Sequence, residues 1–229
     1  MAAGASRTPL SLLLVALAAC APSPSGAADE RQLRQATVSL EGFCAGVVVG
    51  DTEVLTAAHC IDELGQSIRI HYATGATGQG VAVAVDRASD LAVLRLAGRA
   101  PVKPLSLRAS PAKVGETVLF TGRNDFRHPL QRAEVERFGR CPSLPKVPRA
   151  LFTTIHAIPG DSGSPLVDGD FRIVGLVHGG ARCHIAAPTE GAPTLLARAK
   201  KAAIGVRPNA AARRISRQRP SCPPSPRSR

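Results

Sequence analysis

A chain of 229 residues, 44% of them apolar, is long enough for one domain of the larger all-β kind or for two small ones. With one Tyr and no Trp, its core must be built from Val, Leu, Ile and Ala. The formal net charge of +12 is unevenly spread: residues 198–229 hold ten of the 29 basic residues and no acidic one, so the rest is close to neutral. That distribution assigns the basicity to a tail and argues against a basic nucleic-acid-binding face on the folded part.

Met1 to Cys20 reads as an export signal, with Arg7 near the start, an apolar run from Leu10, and small residues at the end. The run is too short to span a bilayer permanently, and no other segment is expected to cross one. Leu17-Ala18-Ala19-Cys20 is similar to a bacterial lipobox, in which the cysteine becomes the acylated N-terminus. Ordinary cleavage after Ala18, or near Ala27-Ala28, is the alternative. Acylation by more than one chain would anchor the protein stably to a membrane. Residues 21–35 read as a linker.

From residue 36 short apolar or alternating runs are separated by Gly, Asp, Asn and Pro. They are Ala36–Leu40, Cys44–Val49, Glu53–Ala57, Ser67–Tyr72, Val81–Asp86, Leu91–Leu96, Thr117–Thr121, Gln131–Phe138, Leu151–Ile155, Ser164–Val167 and Arg172–His178. Turn signals at roughly ten-residue spacing predict a closed all-β architecture, a sandwich or barrels. One helix is predicted at Pro193–Ile204, with Arg198, Lys200 and Lys201 in its last turns, where cations suit the helix dipole. The folded domain is placed at 36–205. Residues 206–229 are mostly Arg, Pro, Ser and Ala, a composition that cannot bury a core and reads as a disordered basic extension. Contact with an anionic membrane surface is its functional reading; nucleic acid is disfavoured.

Export permits disulfides. Cys44 and Cys60 bracket a hydrophobic hairpin, and a bridge between them would contribute about 3 kcal/mol by loop closure. Cys141 and Cys183 form the natural second pair, leaving Cys222 in the tail without a partner. His71, His128 and His184 read as ordinary surface or structural residues. There is no His-Glu-x-x-His, and the cysteines are better used in bridges, so neither a metal nor a cofactor is expected.

Two segments carry chemistry. In Gly160-Asp161-Ser162-Gly163-Ser164-Pro165 the glycines let the chain turn sharply, so the Ser162 side chain can project while neighbouring N–H groups point the same way. Acyl transfer needs that pairing of a nucleophile with fixed donors for the oxyanion. Serine also needs a base, and Thr56-Ala57-Ala58-His59-Cys60 supplies one in His59. A carboxylate to orient the imidazole is found in Asp90, at the mouth of the apolar run Leu91-Ala92-Val93-Leu94, with Asp86 as the contender. Ser164 occupies the final position of a Gly-x-Ser-x-Gly elbow, which excludes that arrangement.

These three segments resemble the three signatures of chymotrypsin-like serine peptidases, in the family's order, over about residues 36–205. The resemblance implies two six-stranded antiparallel β-barrels with the triad His59, Asp90 and Ser162 at their interface. It implies oxyanion donors in the backbone N–H groups of Gly160 and Ser162, and protein or peptide substrates cleaved as by an endopeptidase. Cys44–Cys60 matches the family's bridge beside the histidine. By family position His156 lines the base of the primary pocket and His178, Gly179 and Gly180 its wall, where histidines would favour an acidic side chain. The short intervals between motifs look like bacterial branches such as glutamyl endopeptidases and periplasmic Htr proteases. The chain after Ser162 is too short for the peptide-binding domain of the latter. One departure concerns Asp161, whose equivalent pairs with a newly made N-terminus: no Ile-Val-Gly-Gly-like sequence is present to provide it. The competing reading is a catalytically silent binding module on a protease scaffold. Oligomeric state is not legible.

Overall fold

The computed structural model describes residues 24–123, 129–142, 144–179 and 184–205. Twelve strands form two closed antiparallel barrels of six. The first contains β1 (Thr37–Leu40), β2 (Cys44–Val48), β3 (Glu53–Ala57), β4 (Ser67–Tyr72), β5 (Thr77–Asp86) and β6 (Leu91–Leu96), in the order β1-β2-β3-β6-β5-β4. The second contains β7 (Thr117–Phe120), β8 (Gln131–Gly139), β9 (Ala150–Thr153), β10 (Pro165–Val167), β11 (Ile173–Val177) and β12 (Ile185–Pro188), in the order β10-β11-β12-β9-β8-β7. Closure removes the unpaired edges that short strands would otherwise expose.

Strand patterning follows position. β4 and β8 alternate, turning Ile68, Ile70 and Tyr72, or Ala133 and Val135, into their barrels and polar residues to water. β2, β3 and β11 are buried at every position, because one face fills a barrel and the other meets the second barrel or a helix. Val38, Val54, Ile68, Ile70 and Leu94 fill the first barrel, and Val118, Phe120, Val135, Leu166 and Val177 the second. A third apolar cluster lies on the seam between them. There Val47, Leu55, Leu91 and Val93 meet Leu119, Val167, Ile173 and Leu176.

Two helices seal that seam. α2 (Ala192–Gly205) inserts Ala192, Leu195 and Ala199, as the sequence suggests, but it runs on past the predicted end. Its final turn contains no basic residue, and Lys200 and Lys201 stand in the turn before it. The second difference is larger. Pro24–Ala36 is a helix, α1, where a linker was expected over 21–35. Leu33 and Ala36, one turn apart, are fully buried on the seam. Glu30 pairs with Arg34 at 2.8 Å, and the Gln32 amide donates to the Pro104 carbonyl at 3.0 Å. The folded unit thus begins before residue 36. Residues 1–23 and 206–229, including Cys20 and Cys222, lie outside the described residues. No described helix is long and apolar enough to cross a membrane.

Candidate active site

β3 ends in a single 3₁₀ turn, Ala58–Cys60, which lifts His59 off the barrel rim. The Cys44–Cys60 disulfide ties that turn back to β2. Arg87 holds it from the other side, donating to the carbonyls of Ala58 and Ile61, each at 2.5 Å, and of Asp62 at 2.9 Å. Neither the exposed position of Arg87 nor its place in a turn marks it as a site residue in the sequence.

Asp90 enters β6 with φ of +52°, a left-handed conformation that Asp tolerates better than most residues. Its carbonyl accepts the Ala58 N–H at 3.1 Å. Its Oδ1 accepts the His59 backbone N–H at 3.0 Å, and His59 Nδ1 lies 3.1 Å from Oδ1 and 3.0 Å from Oδ2. Asp86 turns elsewhere: its carboxylate accepts from Ala88 N, Ser89 N and the Ser89 hydroxyl, closing the 86–89 turn. Of the two aspartates, Asp90 is the one within hydrogen-bond distance of the His59 imidazole.

Asp90 also has a second imidazole. His178 Nδ1 stands 2.6 Å from Asp90 Oδ2, and its ring meets the His59 ring edge-on with centroids 4.5 Å apart. Burial pushes the Asp90 carboxyl up, but hydrogen bonds from His178 and His59, with their charge, outweigh it and hold the group at about 2. The His178 side chain is thus drawn onto Asp90, a hydrogen-bonding carboxylate 2.6 Å away, while a Cβ on the neighbouring Gly179 would stand 3.4 Å from the Ser162 hydroxyl. His156 lies exposed between β9 and β10, beside His184 with ring centroids 5.9 Å apart. Gly180 lies outside the described residues.

Ser162 comes from the second barrel and is bonded to both. Its carbonyl accepts the Ala45 N–H at 2.7 Å, and the Gly163 N–H donates to Val177 O at 2.7 Å. Gly163 has φ of +87°, and a Cβ there would stand 2.1 Å from Ala45 O, so the close approach admits only glycine. The Ser162 hydroxyl donates to the His178 carbonyl at 2.9 Å. No hydrogen bond from it to His59 is formed. Gly160 has φ of +99°, and among the described residues neither its N–H nor that of Ser162 is given an acceptor.

Asp161 is 1% exposed and needs partners for its carboxylate. It finds them in the main chain: Oδ1 accepts from Arg123 N at 3.0 Å and Oδ2 from Ile158 N at 2.8 Å. Backbone donors thus stand where the sequence offered no cationic partner. Cys141 is disulfide-bonded, while Cys183, its expected partner, lies outside the described residues.

Among the described residues His59, Asp90 and His178 also form the one cluster of potential metal ligands with uncommitted side chains, since Cys44 and Cys60 are joined. Their contacts of 2.6 and 3.0 Å are hydrogen-bond distances. Tetrahedral neighbours around zinc, with bonds of about 2.0–2.1 Å, stand roughly 3.3 Å apart.

A family model described as a trypsin-like peptidase domain matches residues 44–176. The chain is 29% identical over 137 residues to mitochondrial serine protease HTRA2 of Bos taurus, covering 57% of this chain and 30% of that one. It is 30% identical over 151 residues to serine protease Rv3671c of Mycobacterium tuberculosis, covering 62% and 36%. The matches thus span about a third of these relatives' length. Among solved structures, the inactive form of Rv3671c protease superposes with a TM-score of 0.61 at 20% identity, over 78% of this chain and 95% of that chain. The serine endoprotease from Yersinia pestis gives 0.62 at 20% identity, over 76% and 65%. At such identities the solved structures speak for the fold, which agrees with the two barrels. The family match covers more than half of the sequence, including His59, Asp90 and Ser162, and the chain belongs to the trypsin-like peptidase family.

Proposed function

We propose that this protein is an exported serine endopeptidase that works through an acyl-enzyme on Ser162. The observation that carries the reading is the His59–Asp90 pair, bonded through both Nδ1 and the main chain, on the barrel rim that faces Ser162. A carboxylate held at about 2 is an acceptor only, so His59 carries its proton on Nδ1 and leaves Nε2 free as a base. Rotation of Ser162 about its Cα–Cβ bond takes the hydroxyl from the His178 carbonyl to that nitrogen. The oxygen then attacks a substrate carbonyl, His59 takes the proton, and Asp90 stabilises the imidazolium. The N–H groups of Gly160 and Ser162 receive the oxyanion. His59 next protonates the leaving amine, and water repeats the cycle to release the acyl group.

Substrates are proteins or peptides. Export through residues 1–20, with membrane contact through an acylated Cys20 and the basic tail, completes the reading. Mass spectrometry of the mature N-terminus tests it: an unacylated residue downstream of Cys20 removes the lipid anchor.

One observation favours the competing reading of a silent binding module: the Ser162 hydroxyl is bonded to a carbonyl instead of to His59. A fluorophosphonate probe decides between them. The peptidase reading expects covalent labelling that Ser162→Ala abolishes, with turnover falling on the order of 10⁶-fold. Correctly oxidised protein that takes up no probe between about pH 6 and 9 would establish the silent module.

A further inference from the structure

His178 has no part in the cycle just described, yet it touches all three residues of the triad. Its Nδ1 is nearer to Asp90 Oδ2, at 2.6 Å, than His59 Nδ1 is, at 3.0 Å. Its ring packs edge-on against His59, and its carbonyl receives the Ser162 hydroxyl. The side chain is 12% exposed, and its own N–H donates to Ile185 O at 3.1 Å, so the backbone beneath it is fixed by β12. Asp90, at the start of β6, and His59, in the 3₁₀ turn, are the titratable groups that face it. The two imidazoles are the groups whose charge acts on the Asp90 carboxylate.

An ionised carboxylate has no proton to give, so each bond to it must be donated by the imidazole. Two Nδ1–H groups therefore share one acceptor. The charge that Asp90 offers His59 is smaller for being shared, and the carboxylate is gripped from two directions. We propose that His178 is a positioning residue that divides the Asp90 carboxylate between two imidazoles, fixing its orientation and setting the pH at which His59 takes up its proton. The inference rests on the reading of His59 as the general base.

The sign follows from the geometry. Without the His178 donor, the full charge of Asp90 falls on His59 and favours its imidazolium. The base is then protonated, and silenced, at a higher pH. Any positive charge on His178 in the wild type repels the His59 imidazolium, so its removal acts in the same direction.

The test compares His178→Leu, which fills the space without a donor, with His178→Asn, whose amide nitrogen stands where Nδ1 does. With p-nitrophenyl acetate as acyl donor, His178→Leu is expected to move the acid limb of kcat/KM up by roughly 0.5–1 pH unit. It is expected to lower kcat roughly 10-fold, about the effect of one lost charge-assisted hydrogen bond. His178→Asn is expected to restore most of both. Where leucine disturbs folding, His178→Gln replaces it, since its amide reaches the Nε2 position instead. A second readout is independent of turnover: wild-type protein in water should show two low-field imidazole protons, and His178→Leu one. An unchanged acid limb and kcat in His178→Leu, or an asparagine variant as impaired as leucine, overturns the proposal. So does retention of both low-field protons without His178. If wild type neither turns over the ester nor takes up a fluorophosphonate, the peptidase reading fails, and the proton spectrum still decides whether His178 shares Asp90.

Discussion

Replacing Gly163 by alanine would add one methyl group where the Ser162 loop packs against β2 and β3 of the first barrel. That Cβ would stand 2.1 Å from Ala45 O and 2.5 Å from Thr56 Oγ1. An ordinary C···O contact is about 3.3 Å or more, so the strands must part by roughly 1 Å. Thr56 cannot simply swing away, because its hydroxyl donates to the same Ala45 carbonyl at 2.6 Å. Overpacking of this kind costs about 1–3 kcal/mol. The φ of +87° adds about 1 kcal/mol for a residue with a Cβ, and loss of the Ala45 N–H bond to Ser162 O about 1 more. Gly163→Ala is therefore expected to lose about 4 kcal/mol, which at a urea slope near 2–3 kcal/mol/M moves the unfolding midpoint down by roughly 1.3–2 M. Displacing Ser162 by about 1 Å should also slow fluorophosphonate labelling about 100-fold in protein that is still folded. An unfolding midpoint within about 0.2 M of wild type, together with an unchanged labelling rate, would refute the account of the barrel contact.

Three further outcomes follow from the site. Asp90 has its folded value depressed to about 2, so it contributes stability that is present above the ordinary carboxylate value and lost as pH falls from about 4 to about 2. The contribution is about 2 kcal/mol, and urea midpoints at pH 5 and 2.5 should show an acid loss that is smaller by that amount in Asp90→Asn. Removing the bridge with Cys44→Ser and Cys60→Ser together should lower stability by about 3 kcal/mol in thermal unfolding; a loss under 1 kcal/mol would show that the turn is held without it. Arg87→Ala deprives three carbonyls around His59 of their donor, and kcat/KM is expected to fall roughly 10-fold, whereas an unchanged value would mean the turn keeps its shape unaided.

The strands were readable because their burial is written in β-branched and leucine runs such as Val81–Asp86 and Leu91–Leu96. β12 was not, because Ile185-Ala-Ala-Pro has neither alternation nor a second β-branched residue, and its identity as a strand comes from pairing with β9 and β11. α1 was passed over for a related reason. A helix lying along a seam needs only a narrow stripe, and Leu33 with Ala36 supplies it within an otherwise polar segment. The three candidate triad residues were legible because they sit in dense local motifs. The contact of His178 with Asp90 was not, since only the direction of the side chain decides it. Asp161 was recognised without its partners because backbone N–H groups, supplied here by Arg123 and Ile158, leave no mark in a sequence.

The seam between the barrels also bears on the order of events during folding. His59 and Asp90 belong to the first half of the chain, Ser162 and His178 to the second, and the connection from β6 to β7 runs between them. Either half, folded alone, holds the proposed base without the proposed nucleophile, or the reverse. On the proposed reading, hydrolytic power arises only when the two halves meet across the interface that the Ala45 N–H to Ser162 O bond closes. A chain still being threaded or collapsing would then offer its neighbours exposed strands but no complete site.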